Sequence, residues 1–275
     1  MVVTPDFVAV IDGSTSKSTV CCHRRYRGGG PLALFRDYSN GEQAMLIVAD
    51  CIKKMKKGVS CHQFCKEATS AVRRYYKPQM LAHLGEHPED RLAASCIVFS
   101  RLRREIWMIG DCQGLVMRKP LGKGRGAENG APDCEPVLLE NPKPSEQELA
   151  AMRAEIIMSS PKPWEHFLID DTARKAIIPR MLEAMKQQNN GYSVIDGFPV
   201  DEAHVKVLTL DLQPWEIVLA SDGYPFLCPT LAQSEERLEW QRTNDPLNIG
   251  TFKATKAFAK GNDSFDDRAF IRFNV

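Results

Sequence analysis

Four aspartates stand at the ends of apolar, strand-like runs: Asp12 after "FVAVI", Asp111 after "IWMIG", Asp222 after "EIVLAS" and Asp266 just ahead of "RAFIRF". Carboxylates are seldom placed at the edge of a core without partners. In an antiparallel sheet the end of one strand and the start of its neighbour share an edge, so these four side chains are expected to converge. Converging carboxylates repel one another unless they are protonated or neutralised, and hard divalent ions such as Mg2+ and Mn2+ prefer such oxygen donors. Glycine follows Asp12 and Asp222, which permits close backbone approach and offers the Gly13 carbonyl as a further oxygen ligand. The plainer reading of each Asp-Gly is a turn, and Asp111 taken alone reads that way. "IDGSTSKS" also suits a phosphate-bearing ligand. The joint pattern is what points to a cation centre.

Other residues with chemical potential are less persuasive. Cys61, His62 and Cys65 lie at helical spacing, but no second ligand pair with zinc-like spacing follows, so two thiols on a helix face are the expectation. Nine cysteines in all, an odd number without framework spacing, indicate reduced thiols and a cytoplasmic setting. Nothing in "MVVTPDFVAVIDG" reads as a signal peptide. A net charge of +1 leaves no general nucleic-acid footprint. No apolar run approaches the ~20 residues of a membrane helix, so no membrane partner is expected.

The elements that must position the aspartates follow from periodicity. At 275 residues, 43% hydrophobic and 26% charged, the chain has an ordinary globular make-up and is expected to form one domain over 1–275. "STVCCHRRY" and "LALFRDYS" around "RGGGP" predict a hairpin. "SNGEQAMLIVADCIKKMKKG" predicts a helix stopped by Gly58, with four lysines in its solvated last turns, and "SCHQFCKEATSAVRRYY" a second helix capped by Ser60. "RLAASCIVFSRLRREIWMIGDCQGLVMRKP" predicts a meander of antiparallel strands. Residues 120–145, rich in Gly, Pro and Glu, predict a long exposed loop. Ser145 with Glu148 predicts a capping box for the next helix, and Pro179 a kink or restart in the one after. Two strands around Gln213-Pro214, a helix over "TLAQSEERLEWQR" and a final strand complete the expectation.

In this order the marks resemble those of the metal-dependent protein phosphatases of the protein phosphatase 2C type. The segments that carry the resemblance are "FVAVIDG", "GEQAMLIVADCI", "IWMIGDCQGLV", "EIVLASDGYPFL" and "DDRAFIRF", spanning residues 7 to 273, with "EIVLASDG" the closest match. The resemblance implies an α+β fold, a four-layer α-β-β-α sandwich of two antiparallel sheets flanked by helices. It implies two or more Mg2+ or Mn2+ ions, with Asp12 bridging two of them and the Gly13 carbonyl on one. Asp222 and Asp266 would complete the ligand set, and Asp111 matches a position serving a third ion. Asp12 and Asp222 are then the residues nearest the chemistry, in which a metal-activated water attacks phosphoserine or phosphothreonine of a phosphoprotein substrate.

Four departures from that pattern bear on activity. The family's strand ahead of Asp-Gly, with its phosphate-binding arginine, is expected to be missing. Lys17, Arg24 or Arg25 near the hairpin would have to replace it. Ser14 stands where many members have histidine, which leaves His23 as the nearest candidate proton donor. Asp266-Asp267 replaces the final Asp-Asn, and "AAS" replaces Gly-Thr-Thr. A weak phosphatase or a non-catalytic phosphatase-like binding module is therefore an alternative. A sugar-kinase or actin-like ATPase is a weaker one, since Asp222 and Asp266 have no role there. N-terminal nucleophile hydrolases need a processed Thr, Ser or Cys that Met1-Val2-Val3 does not offer.

Overall fold

The computed structural model describes residues 1–14, 20, 22–26, 37–119 and 135–275. Nine strands are found among them. One sheet takes β1 (Val2–Val3), β2 (Phe7–Gly13), β3 (Ala94–Ser100), β4 (Glu105–Ile109) and β7 (Lys206–Thr209), in the order β1-β2-β3-β4-β7. The other takes β5 (Gln113–Arg118), β6 (Val137–Leu139), β8 (Trp215–Ala220) and β9 (Phe270–Asn274), in the order β6-β5-β8-β9. Every pairing between these strands is antiparallel. The fold is thus an α+β sandwich of two antiparallel sheets flanked by helices.

Period-two alternation sorts the core. Phe7, Ala9 and Ile11 of β2 pack with Cys96, Val98 and Trp107 against α1 (Asn40–Lys54) and α2 (Cys61–Arg73), where Phe64 stacks on Trp107 at 5.8 Å. The alternate residues Val8, Val10, Ile97, Phe99, Ile106 and Met108 meet Val116, Ile217 and Leu219 of the second sheet. That explains why β3 is buried along its whole length: one face meets helices and the other a sheet.

The expected meander is split. Gly110 takes φ +85 at the end of β4, a conformation that a side chain strains, and a Cβ there would meet the Ser95 hydroxyl at 2.2 Å. The chain turns at this point out of the first sheet and into β5 of the second. Three other expectations change. The stretch read as loop over 120–145 contains β6, while residues 120–134 lie outside the described set. Helix α4 (Glu146–Met158) starts where expected, but the Ser145 side chain makes no capping hydrogen bond. Helix α6 (Thr172–Met185) runs through Pro179 without a restart. The "RGGGP" hairpin falls almost wholly outside the described residues, and His23 bridges to Tyr76. A short strand, β1, does precede Asp12-Gly13, and it carries only valines.

The remaining helices include α3 (Leu81–Glu86), α5 (Trp164–Ile169) and α7 (Leu231–Asn244). Leu149 of α4 packs with Ile177 and Met181 of α6. Arg153, fully buried, donates to the carbonyls of Leu247 at 2.7 Å and Ala254 at 3.1 Å and pairs with Asp171. This guanidinium fixes the segment after α7 against α4 and α6. Among the described residues no helix is long and apolar enough to cross a membrane.

Candidate metal centre

Parity carries Asp12 to its place. It continues the alternation of Val8 and Val10, so its side chain faces the second sheet, opposite Ser95 in register. Asp111 sits in the crossing between the sheets, Asp222 just beyond β8, and Asp266 just ahead of β9. All four aspartates, with Gly13, line one cavity of about 140 Å³.

Glycines make this convergence possible at two points. A Cβ on Gly13 would lie 2.1 Å from the Gly41 carbonyl oxygen, so the strand end and the first turn of α1 touch backbone to backbone. The glycine of the "GE" that opens α1 is therefore a contact surface for Gly13. A Cβ on Gly223 would lie 2.3 Å from the Asp267 carbonyl oxygen. Ser221 ties the same corner together: its hydroxyl accepts from the Ala269 N–H at 2.9 Å, and its own N–H donates to the Ala269 carbonyl. The Gln113 amide donates to the carbonyls of Ser221 and Tyr224. "SDG" thus supplies a tether, a carboxylate and a residue without bulk, in that order.

The carboxylates are unequally satisfied. Asp111 accepts from the Ser95 hydroxyl at 2.5 Å and pairs with the Lys143 ammonium at 2.5 Å. Against the effect of burial, Lys143 holds the Asp111 carboxyl below its usual range. Asp266 pairs with Lys256 and accepts from the Asp267 N–H at 3.0 Å. Asp222 contrasts with both. Its Oδ1 is buried and has no hydrogen-bond partner among the described residues. Burial, then the charges of Asp111 and Asp12, push its carboxyl well up. Burial pushes Asp12 up to about 6, opposed by a hydrogen bond with the Asp222 side chain and reinforced by the charges of Asp111 and Asp266.

Glu146, the first residue of α4, joins them. Its carboxylate lies within 4.8 Å of those of Asp111 and Asp222, and burial and Asp111 raise its pKa. This arrangement fits a divalent cation: all-oxygen donors, an orphaned buried oxygen, and more acidic groups than cations among the described residues of the cavity.

Among the described residues the cations of the cavity are Lys143, Lys256 and Arg174, none of them expected from sequence. Arg174 donates to the Thr255 carbonyl at 2.6 Å, which links α6 to the segment after α7. The expected substitutes are elsewhere. Arg24 and Arg25 line a separate cleft with Tyr26 and Arg74, and Arg25 pairs with Asp37. Lys17 lies outside the described residues. His23 does not line the cavity; its Nε2 meets the Asn40 side chain at 2.8 Å at the start of α1. The "AAS" in place of Gly-Thr-Thr supplies Ser95, the hydroxyl that holds Asp111. His62 pairs with Glu202, and the thiols of Cys61 and Cys65 meet each other, as two residues on a helix face would.

No family model and no curated relative matches the sequence. Among solved structures, the chain is similar to the catalytic domain of the serine threonine protein phosphatase PstP in complex with two manganese ions. The identity is 12% over 84% of this chain and 85% of that one, with a TM-score of 0.34. RsbX in complex with magnesium is 8% identical over 98% and 96%, with a TM-score of 0.33. The serine/threonine phosphatase Stp1 from Staphylococcus aureus is 13% identical over 87% and 84%, also at 0.33. At TM-scores this low, the fold and the site of this chain stand on its own sheets and side chains.

Proposed function

We propose that this chain is a metal-dependent phosphatase acting on phosphoserine and phosphothreonine in proteins, with the carboxylate cavity as its active site. The observation that carries the reading is Asp222: its side chain meets that of Asp12, and its buried Oδ1 has no hydrogen-bond partner among the described residues, at a point where strand ends of two sheets meet. Asp12, Asp222 and the Gly13 carbonyl would hold two or more Mg2+ or Mn2+ ions, with Asp111, Glu146 and Asp266 around them. When bound, such ions supply Lewis acidity, neutralising the carboxylates and making a water nucleophilic near neutral pH. Lys143, Lys256 and Arg174 offer positive charge at the same cavity and would orient the anionic phosphoryl group. Leu149 and Met181 give the wall an apolar side that limits water.

The test is hydrolysis of p-nitrophenyl phosphate and of a phosphothreonine peptide with added Mn2+. Activity that appears with Mn2+, disappears with chelator and falls at least about 100-fold in Asp222→Asn supports the reading. Absence of turnover with Mn2+ and Mg2+ at every pH tried would sink it.

A second reading has its own observation. Lys143 and Lys256 already pair with Asp111 and Asp266, so two of the carboxylates are neutralised by the chain itself. A phosphatase-like binding module would look like this. Phosphopeptide binding without hydrolysis, abolished by Lys256→Ala, would establish that version.

A further inference from the structure

Away from the carboxylate cavity, three different donor types meet. The Cys22 Sγ, a ring nitrogen of His83 and a carboxylate oxygen of Asp90 all lie within 4.8 Å of one another. None of the three lines the carboxylate cavity. Cys22 is fully buried and Asp90 nearly so, while the His83 ring is about one-third exposed (34%).

The chain brings these residues together deliberately. The Lys77 N–H donates to the Cys22 carbonyl at 3.0 Å and the Arg24 N–H to the Tyr75 carbonyl at 2.7 Å, with His23 bridged to Tyr76 between them. That ladder lays residues 22–24 along 75–77, immediately before the turn at Pro78–Met80 that leads into α3. Residues 81–90 then fold back. His83 lies in α3, its ring stacks on that of His87 at 4.3 Å, and its Nε2 meets Asp90 Oδ2 at 2.5 Å. His87 in turn meets Glu89 at 3.2 Å, so the stacked ring is itself anchored.

We propose that Cys22, His83 and Asp90 form a second cation site, specific for Zn2+. A thiolate, an imidazole and a carboxylate make a borderline-soft donor set, unlike the all-oxygen set around Asp222. Zn2+ bonds sulfur at about 2.3 Å and nitrogen or oxygen at about 2.0–2.2 Å, so its tetrahedral donors stand roughly 3.5 Å apart. On binding, His83 and Asp90, now 2.5 Å apart in a hydrogen bond, would separate and the Cys22 Sγ, within 4.8 Å of both, would close to that spacing, with a water completing the tetrahedron. On binding, the Cys22 thiol releases its proton to solvent; thiolate and carboxylate then balance the two positive charges of the ion. The site is structural: it pins the segment that follows Asp12-Gly13 to the one that precedes β3. The molecule would thus sort two kinds of metal by ligand softness.

Cobalt titration of the reduced, chelator-treated full chain tests this, because only a thiolate ligand gives a near-ultraviolet sulfur-to-cobalt charge-transfer band. The expected result is a band that saturates at one ion per chain, is displaced by Zn2+, persists in Asp222→Asn and disappears in Cys22→Ser. A wild-type protein without the band overturns the proposal. So does a band that survives in Cys22→Ser, which would belong to other thiols such as Cys61 and Cys65. Should circular dichroism show that Cys22→Ser does not fold, His83→Gln decides. It must weaken Co2+ binding by at least about tenfold, and an unchanged affinity refutes the site.

Discussion

Among the described residues the carboxyl groups of the cavity outnumber its cations, and that excess has a measurable sign at Asp12 and Asp222. Asp12 titrates at about 6 in the fold against an ordinary 3.8. Between those values the folded chain binds more protons than the unfolded one, so without metal its stability falls as pH rises through that window. The contribution is whole below 3.8 and lost above 6. Asp222 shifts in the same direction, whereas Asp111, held down by Lys143, has the opposite sign. Asp12→Asn is therefore expected to stabilise the chelator-treated protein at neutral pH by on the order of 2 kcal/mol. Thermal melts of the two proteins should differ near pH 7 and converge near pH 4, and a difference independent of pH would contradict the charge argument. The aspartates were legible in sequence because each closes or opens an apolar, strand-like run. Glu146, Lys143, Lys256 and Arg174 were not: an acidic first turn is what any helix favours, and nothing local distinguishes these residues from solvated charge.

At the scale of elements, the start of α1 does two jobs. Ser39 accepts from the Glu42 N–H at 3.2 Å while the Glu42 carboxylate accepts from the Ser39 N–H at 2.8 Å, a complete capping box. Ser39→Ala should cost about 1 kcal/mol in urea unfolding. Gly41 beside it presses on Gly13, and a Cβ there would sit 2.7 Å from the Gly13 carbonyl oxygen. Gly41→Ala should therefore act on the site as well as the helix. The expected outcome is a loss of about 1–3 kcal/mol together with weaker Mn2+ binding, read by calorimetric titration. A stability loss with unchanged Mn2+ affinity would show that the contact does not position Gly13. The Ser39 cap was not among the expectations, although its partners stand only three residues apart. The glycine pair could not be, because the two positions are joined only by the docking of α1 onto β2. The same distinction explains Ser145: the capping pattern was present in sequence, but the site takes Glu146 and the Ser145 side chain does not cap.

At the scale of the whole molecule, the membership of each sheet was the least legible feature. The apolar runs were visible, but which strands pair across the sandwich depends on Gly110, whose left-handed conformation takes the chain from one sheet to the other. Added Mn2+ should raise the melting temperature by mass action, about 2.7 kcal/mol of stabilisation at 100 times the dissociation constant. Asp222→Asn should abolish that rise.

The crossing at Gly110 also means that the carboxylates do not belong to one sheet. Asp12 ends a strand of the first and Asp222 a strand of the second, with the inter-sheet core of Ile97, Phe99, Ile217 and Leu219 behind them. An ion held by those two residues, as proposed above, would be a rivet through both plates of the sandwich. Whatever loosens the seam between the plates must then cost metal, even far from any ligand. Ile97→Ala touches no carboxylate, yet it should lower stability by about 2–5 kcal/mol and weaken Mn2+ binding with it. By the reciprocity of linkage, Mn2+ should slow amide exchange in β3 and β8 together, so that the two sheets breathe as one body when the ion is in place.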